Sequence, residues 1–390
     1  MPLPDLAADL AALDARGLRR QRRLLESPQS AHVVVDGRAA IGFCSNDYLG
    51  LAADPRVVAA ARDAAQRCGV GAGASHLVLG HAAPHHELEA TLARFVHLPR
   101  TLLFSTGYMA NIGIVTALVG RADAVFADKL NHASLNDAAL LSRADFRRYA
   151  HADLAALERL LAASKAPRKL VVSDAVFSMD GDIAPVPQLL QLCEGYDAWL
   201  LLDDAHGFGV LGEAGRGVLS HFNVQSPRIV YLGTLGKAAG VSGAFIAGDG
   251  SVIEWLLQRA RTYIFTTAAP PLLAVATLES LRLIELETWR REHLAALIMR
   301  LREGFAGLPW RLLPSATPIQ PLIVGDNRAV MALSEALLQQ GIWVPAIRPP
   351  TVPAGTARLR ISLSAAHGIE DIDRLLHTLH SLADRQHAAA

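Results

Sequence analysis

Six short apolar runs recur between residues 101 and 248, and they constrain this chain more than any other feature: 101–104, 123–127, 169–174, 198–204, 228–233 and 243–248. Most are separated by segments with helical patterning. None alternates polar with apolar residues, so each predicts a strand covered on both faces. Strands alternating with helices predict a mostly parallel sheet with right-handed crossovers. Ligands of such a sheet lie beyond the carboxyl ends of its strands, so polar residues just after each run are the first functional candidates.

Around this core the sequence predicts an amphipathic helix over residues 3–25, ending in Arg19, Arg20, Arg22 and Arg23. A hairpin follows, with strands 33–35 and 41–43 and a turn at Asp36-Gly37. A long helix is expected from Pro270-Pro271 to about residue 305, then a smaller α+β region with strands near 320–324, 342 and 358–363 and helices at 328–340 and 369–383. The expected division is an N-terminal segment over 1–50, a large α/β domain over 51–285 and a small α+β domain over 286–390.

Composition narrows the function classes. Apolar residues make up 51% of the chain, enough for a sizeable core, and 37 basic residues balance 37 acidic ones. A nucleic-acid partner bound through bulk charge is therefore not expected. Cys44, Cys68 and Cys193 form no C-x-x-C pair, which fits a reducing cytoplasm. The first residues lack the apolar core of a signal peptide, and the longest apolar stretches, such as 112–119, are far short of the ~20 residues of a membrane span. A cytoplasmic protein without a membrane partner is the expectation.

The strand-end residues suggest chemistry. Ser105, Thr106 and Gly107 lead from a strand into a helix, whose first N–H groups and dipole suit a phosphate. Asp203 ends the apolar run AWLLLD, where a carboxylate calls for a cation: a protonated pyridine, an arginine or a metal. Lys237, in GTLGKAAG, is the only lysine in the second half of the chain and suits Schiff-base chemistry with an aldehyde. Thr234 is placed to bond a phosphate, and His206 to donate to a neighbouring oxygen.

Competing motifs fare worse. A P-loop is excluded by Tyr231 and Ala238 at positions that need Gly and Ser or Thr. The G-x-G-x-x-G at 207–212 is followed by EAGRG rather than by a helix, and the next strand ends in Gly233-Thr234 without an acidic residue for a ribose. His76, His81, His85 and His86 hint at a metal, but Pro84 is expected to put His81 and His85 on different local structures, so no metal is expected. Lysine, carboxylate, phosphate turn and a stacking histidine together describe a pyridoxal 5'-phosphate (PLP) site.

The chain resembles the α-oxoamine synthases, a family of fold-type I PLP-dependent transferases. The markers span almost its whole length: SNDYLGL (45–51), GAGASHLVLGH (71–81), STGYMAN (105–111), NHASL (131–135), VFSMDGD (176–182), LLDDAHGFGVLG (201–212), GTLGKAAGVSGA (233–244), IQPLIVGDN (319–327) and IRPPTVPAGTARLRISLSAAH (347–367). The resemblance implies a mostly parallel central sheet flanked by helices, with a smaller α+β C-terminal domain. It implies that Lys237 holds the cofactor aldehyde and that Asp203 pairs with the pyridine nitrogen. His206 and Ser178 would serve the phenolic oxygen, and His132 would lie over the ring near the substrate carboxylate. Gly107, Tyr108 and Thr234 would hold the phosphate, completed by Thr266 and Thr267 of a second copy in an obligate homodimer. Arg360 would bind the amino-acid carboxylate, and Thr351, Asn46 and Arg20 would line the acyl channel.

The last two markers are particular to members that join L-alanine to a pimeloyl thioester, carried by coenzyme A (pimeloyl-CoA) or by acyl carrier protein. A glycine-using synthase and a catalytically silent partner subunit are the alternatives. The family carries Glu where this chain has Asp174, and often Gly or Ser where it has Ala72 and Ala74.

Overall fold

All six apolar runs become strands of one seven-stranded sheet in the computed structural model, which describes residues 6–389, the last four as backbone alone. The strands are β1 (Arg100–Phe104), β2 (Ala124–Asp128), β3 (Asp145–Tyr149), β4 (Lys169–Asp174), β5 (Ala198–Asp203), β6 (Ile229–Thr234) and β7 (Ala244–Gly248). Their order across the sheet is β1-β7-β6-β5-β4-β2-β3. From β6 to β3 every pairing is parallel, whereas β7 runs antiparallel to both its neighbours.

The reversal at β7 follows from chain length. Residues 235–243 link it to β6, too few for the dozen or more that a parallel crossover needs. The link closes on itself, with Leu235 N–H donating to the Gly243 carbonyl at 2.9 Å. The seventh strand, β3, has the sequence DFRRY and no apolar run to announce it. It lies at the sheet edge, where charged residues discourage further pairing and burial is not required.

Helix α1 (Gly107–Leu118) buries Ile114, Val115 and Leu118 in the same core as Leu102 and Phe104 of β1, Leu170 and Val172 of β4, Leu201 of β5, and Val230 and Leu232 of β6. Helix α2 (Ala133–Ser142) adds Leu135, Ala138 and Ala139. Each fully buried Leu, Ile or Val contributes roughly 1.5–3 kcal/mol, so this core fixes the strand ends that carry the candidate residues.

A partly buried charge cluster tightens the same region. His151 bonds Asp128 at 3.1 Å through Nδ1 and Asp182 at 2.9 Å through Nε2. Bonding to the two carboxylates outweighs burial and lifts the imidazole from 6.5 to about 10. The folded value lies above the unfolded one, so the stabilisation is complete below about pH 6.5 and is lost as pH rises through about 10. His151→Ala is expected to cost about 2 kcal/mol in urea unfolding at pH 6, and much less at pH 10.5.

The described residues divide into two units. The larger comprises Leu49–Ser178 and Asp182–Arg291; the smaller comprises the chain up to Tyr48, Met179–Gly181 and the chain from Glu292. In the smaller unit the hairpin pairs His32–Val35 with Arg38–Gly42, and Ile342–Trp343 joins in parallel. Asp36 (φ 50°) and Gly37 (φ 74°) are both left-handed, as a two-residue hairpin turn requires. The second strand thus begins at Arg38, earlier than its apolar residues suggest. A four-stranded antiparallel sheet orders Arg311–Leu312, Ile319–Gly325, Ala357–Ser362 and Ala346–Ile347. Helices Asn327–Gln339 and Ile369–Ala389 belong to the same unit.

Two helix expectations are corrected. The expected helix over 3–25 is a helix only over Leu6–Ala15, residues 3–5 lying outside the described chain. It buries none of its residues and stops before Gly17 (φ 63°), so Arg19, Arg20, Arg22 and Arg23 follow on irregular backbone. The expected helix from 270 to 305 is two helices, Pro271–Leu286 and Trp289–Gly304. Buried Arg290 marks the break: it donates to the Leu49 carbonyl at 2.7 Å, to Asp54 at 2.9 Å and to Glu287 at 2.8 Å. No helix among the described residues is long and apolar enough to cross a membrane.

Candidate active site

The ends of β4, β5 and β6, together with the starts of α1 and α2, surround a cavity of about 200 Å³ in the larger unit. It is lined by Gly107, Tyr108, His132, Ser178, Asp203, His206, Thr234 and Lys237, all of them sequence candidates, and by Ser134, Asp174, Val176 and Ala205. Thr266 and Thr267 follow the short helix Arg261–Ile264 and are not among the lining residues.

One end of the cavity is built for an anion. Thr106 caps α1, its Oγ1 accepting from Met109 N–H at 3.1 Å, while Ala110 N–H donates to the Thr106 carbonyl. The N–H groups of Gly107 and Tyr108, first in the helix, have no intrahelical acceptor and lie at its positive end. Glycine is required at 107, because a Cβ there would stand 2.8 Å from Cγ2 of Thr234. Tyr108 donates its hydroxyl to Asp137, whose charge helps keep the phenol protonated.

The other end gathers the ionisable groups. Lys237 Nζ lies 3.0 Å from Nε2 of His206. Asp203, almost fully buried at the end of β5, accepts from Asn111 Nδ2 at 2.7 Å and from Ala205 N–H at 3.1 Å. His132 caps α2; its backbone N–H donates to both oxygens of Asp174, at 3.1 and 3.2 Å. Burial holds the His132 imidazole below its ordinary value. Asp174 ends β4 directly beside Asp203, and burial, then the neighbouring carboxylate, push its carboxyl well above the usual range. The shorter side chain at 174 therefore reaches the backbone of His132 directly.

The cavity fits PLP. It offers a helix N-terminus with a glycine cradle for the phosphate, a lysine for the aldehyde and a strand-end carboxylate for the ring nitrogen.

In the smaller unit the structure brings Arg360 and Asn46 together. Arg360, almost fully buried on the strand Ala357–Ser362, donates to Asn46 Oδ1 at 3.2 Å and Ser362 Oγ at 2.7 Å, with the Tyr48 hydroxyl at 3.5 Å. Arg20 and Thr351 are exposed on irregular segments. Arg348, which sequence reasoning passed over, feels both burial and the charge of Arg20, and each lowers its proton affinity.

His81 and His85 do lie on different local structures, His85 inside the helix Ala83–Phe95 and His81 before it. They converge with His76 all the same, with ligand atoms within 4.8 Å of one another. His85 is nevertheless satisfied by backbone: Nδ1 accepts from Ala82 N–H at 3.1 Å and Nε2 lies 2.8 Å from the Ala269 carbonyl. Two site residues were missed as such, Asn111 and Ser134. Their signal was a buried-type polar residue inside an apolar helix and a second polar residue in NHASL.

A lysine and a carboxylate facing one cavity at the carboxyl ends of this sheet define the class, a PLP-dependent transferase of fold type I. The family model for aminotransferase class I and II matches residues 38–379. The chain is 63% identical to the 8-amino-7-oxononanoate synthase of Herminiimonas arsenicoxydans over 96% of this chain and 98% of that one. It is 62% identical to that of Aromatoleum aromaticum, over 98% and 99%. Among solved structures, serine palmitoyltransferase from S. paucimobilis with a bound PLP–myriocin adduct superposes with a TM-score of 0.92 at 31% identity, covering 99% of this chain and 98% of that one. An 8-amino-7-oxononanoate synthase from Francisella tularensis gives 0.77 at 29%, covering 89% and 99%. The chain belongs to the 8-amino-7-oxononanoate synthase family.

Proposed function

We propose that this protein condenses L-alanine with a pimeloyl thioester, releasing carbon dioxide and the free thiol and forming 8-amino-7-oxononanoate for biotin biosynthesis. The observation that carries the chemistry is that Lys237 and Asp203 line one cavity. PLP, when bound, supplies the electron sink for the carbanion at Cα of alanine.

The chain's own residues do the rest. Asp203, held by two N–H donors, would pair with the ring nitrogen and favour its protonated form. Lys237 would hold the cofactor aldehyde, and its Nζ is the base that would take the Cα proton. His206 bonds Lys237 Nζ and, with Ser178, serves the phenolic oxygen. Gly107, Tyr108 and Thr234 hold the phosphate. His132 steers the substrate carboxylate through proton transfer and decarboxylation. Arg360 binds that carboxylate, its planar fork suiting two oxygens. Asn46, Thr351 and Arg20 serve the acyl thioester.

The working form is proposed to be a homodimer, with Thr266 and Thr267 of the second copy completing the phosphate site. Cytoplasmic residence is supported by three free cysteines, Cys44, Cys68 and Cys193.

Purified protein with PLP, L-alanine and pimeloyl-CoA or pimeloyl-acyl carrier protein is expected to give 8-amino-7-oxononanoate, identified by mass spectrometry. Faster turnover with glycine than with alanine would refute the substrate assignment.

A further inference from the structure

Asn111 is a fully buried amide in the middle of apolar α1, and its two N–H bonds are both spent at the site. One goes to Asp203 Oδ2 at 2.7 Å, the other to Ser134 Oγ at 2.9 Å. A carboxylate only accepts, so the amide must turn its NH2 group, not its oxygen, toward Asp203. Ser134 Oγ accepts from Asn111 and lies 2.7 Å from His132 Nδ1. The backbone N–H of Ser134 donates to the same nitrogen at 3.3 Å, so Nδ1 must carry a lone pair. The Ser134 hydroxyl is then the donor of its pair with Nδ1, and the proton of the neutral ring is left on Nε2. The arrangement leaves Asn111 Oδ1 buried with no partner among the described residues. Rotating the amide to relieve that oxygen would set carbonyl against carboxylate.

We propose that Asn111 and Ser134 are positioning residues that hold His132 as the neutral Nε2–H tautomer and tie that tautomer to the carboxylate of Asp203. His132 then enters the reaction as a hydrogen-bond donor from Nε2, suited to a substrate carboxylate, and not as a base at that nitrogen. The charged groups facing the ring come from several elements. Asp203 on β5 and Asp137 on α2 favour its protonation, and Lys237 after β6 opposes it. Asp174 on β4 holds its backbone N–H, and His206 lines the same cavity. Burial adds to the effect of the two donors in disfavouring the charged ring.

The proposal rests on reading the cavity as the PLP site. Its test needs no cofactor, so a protein that failed to bind PLP would still report the tautomer, and the two readings fail separately. In cofactor-free protein labelled with ¹⁵N-histidine, two-bond proton–nitrogen correlation spectra assign His132 by difference from His132→Gln. The expected result is an Nε2–H ring that stays neutral to below the pH at which ordinary histidines titrate. Ser134→Ala removes one of the two donors to Nδ1 and should raise the titration midpoint of His132 by about one unit. Ser134→Thr, which keeps the hydroxyl, should leave it in place. An Nδ1–H ring in the wild-type spectrum overturns the proposal whether or not the variants fold. So does a midpoint unmoved in folded Ser134→Ala.

Discussion

Lys237→Ala is expected to lower turnover at least a thousandfold and to leave the protein colourless after incubation with PLP and desalting. Two functions are lost at once, the covalent hold on the cofactor and the amine that moves the Cα proton. General acid–base catalysis alone is worth on the order of 10²–10⁴-fold. The fold should survive, because Lys237 lies in the loop between β6 and β7 and its amine faces the cavity, not the core. Circular dichroism and a urea midpoint within about 1 kcal/mol of wild type would confirm that. A yellow, active Lys237→Ala protein would show that another group holds the aldehyde.

Asp203→Asn separates binding from chemistry. The asparagine keeps the shape; its one oxygen can accept from Ala205 N–H, and its NH2 group then faces Asn111, whose amide can turn its oxygen to accept, so the cavity should stand. Lys237 and the start of α1 still hold the cofactor, and the protein should remain yellow. Turnover should nevertheless fall by about 10²–10³-fold, because a neutral amide no longer keeps the ring nitrogen protonated. Rates within a few-fold of wild type would mean that Asp203 is not the partner of that nitrogen.

Much of this was legible in the residues. Fully covered strands write themselves as unbroken apolar runs, so six of the seven strands in the large sheet were readable, as were the polar residues at their ends. The edge strand was not, because DFRRY answers to solvent and not to a core. The direction of β7 depended on the short link before it, a matter of chain length and not of pattern. The N-terminal helix misled for the opposite reason: its alanines and leucines have high helix propensity, but no neighbour buries them, and Gly17 ends the run.

The site was legible where each residue's chemistry is distinctive and opaque where its role lies in a partner's orientation. Lys237 and Asp203 stand out in their strand-end contexts. Asn111 and Ser134 have ordinary identities, and their part shows only when the hydrogen bonds to Asp203 and His132 are traced donor by donor. Asp174 is intermediate: a carboxylate was expected there, but its grip on the His132 backbone depends on α2 starting where it does. His76, His81 and His85 converge through the fold of residues 76–85, which spacing on one helix does not describe.

Reductive trapping tests the central claim most directly. The chain has four lysines, Lys129, Lys165, Lys169 and Lys237. After loading with PLP and reduction with borohydride, peptide mapping should place one cofactor on Lys237, and Asp203→Asn should be labelled at the same residue. Label on any of the other three lysines, or none at all, would contradict the account.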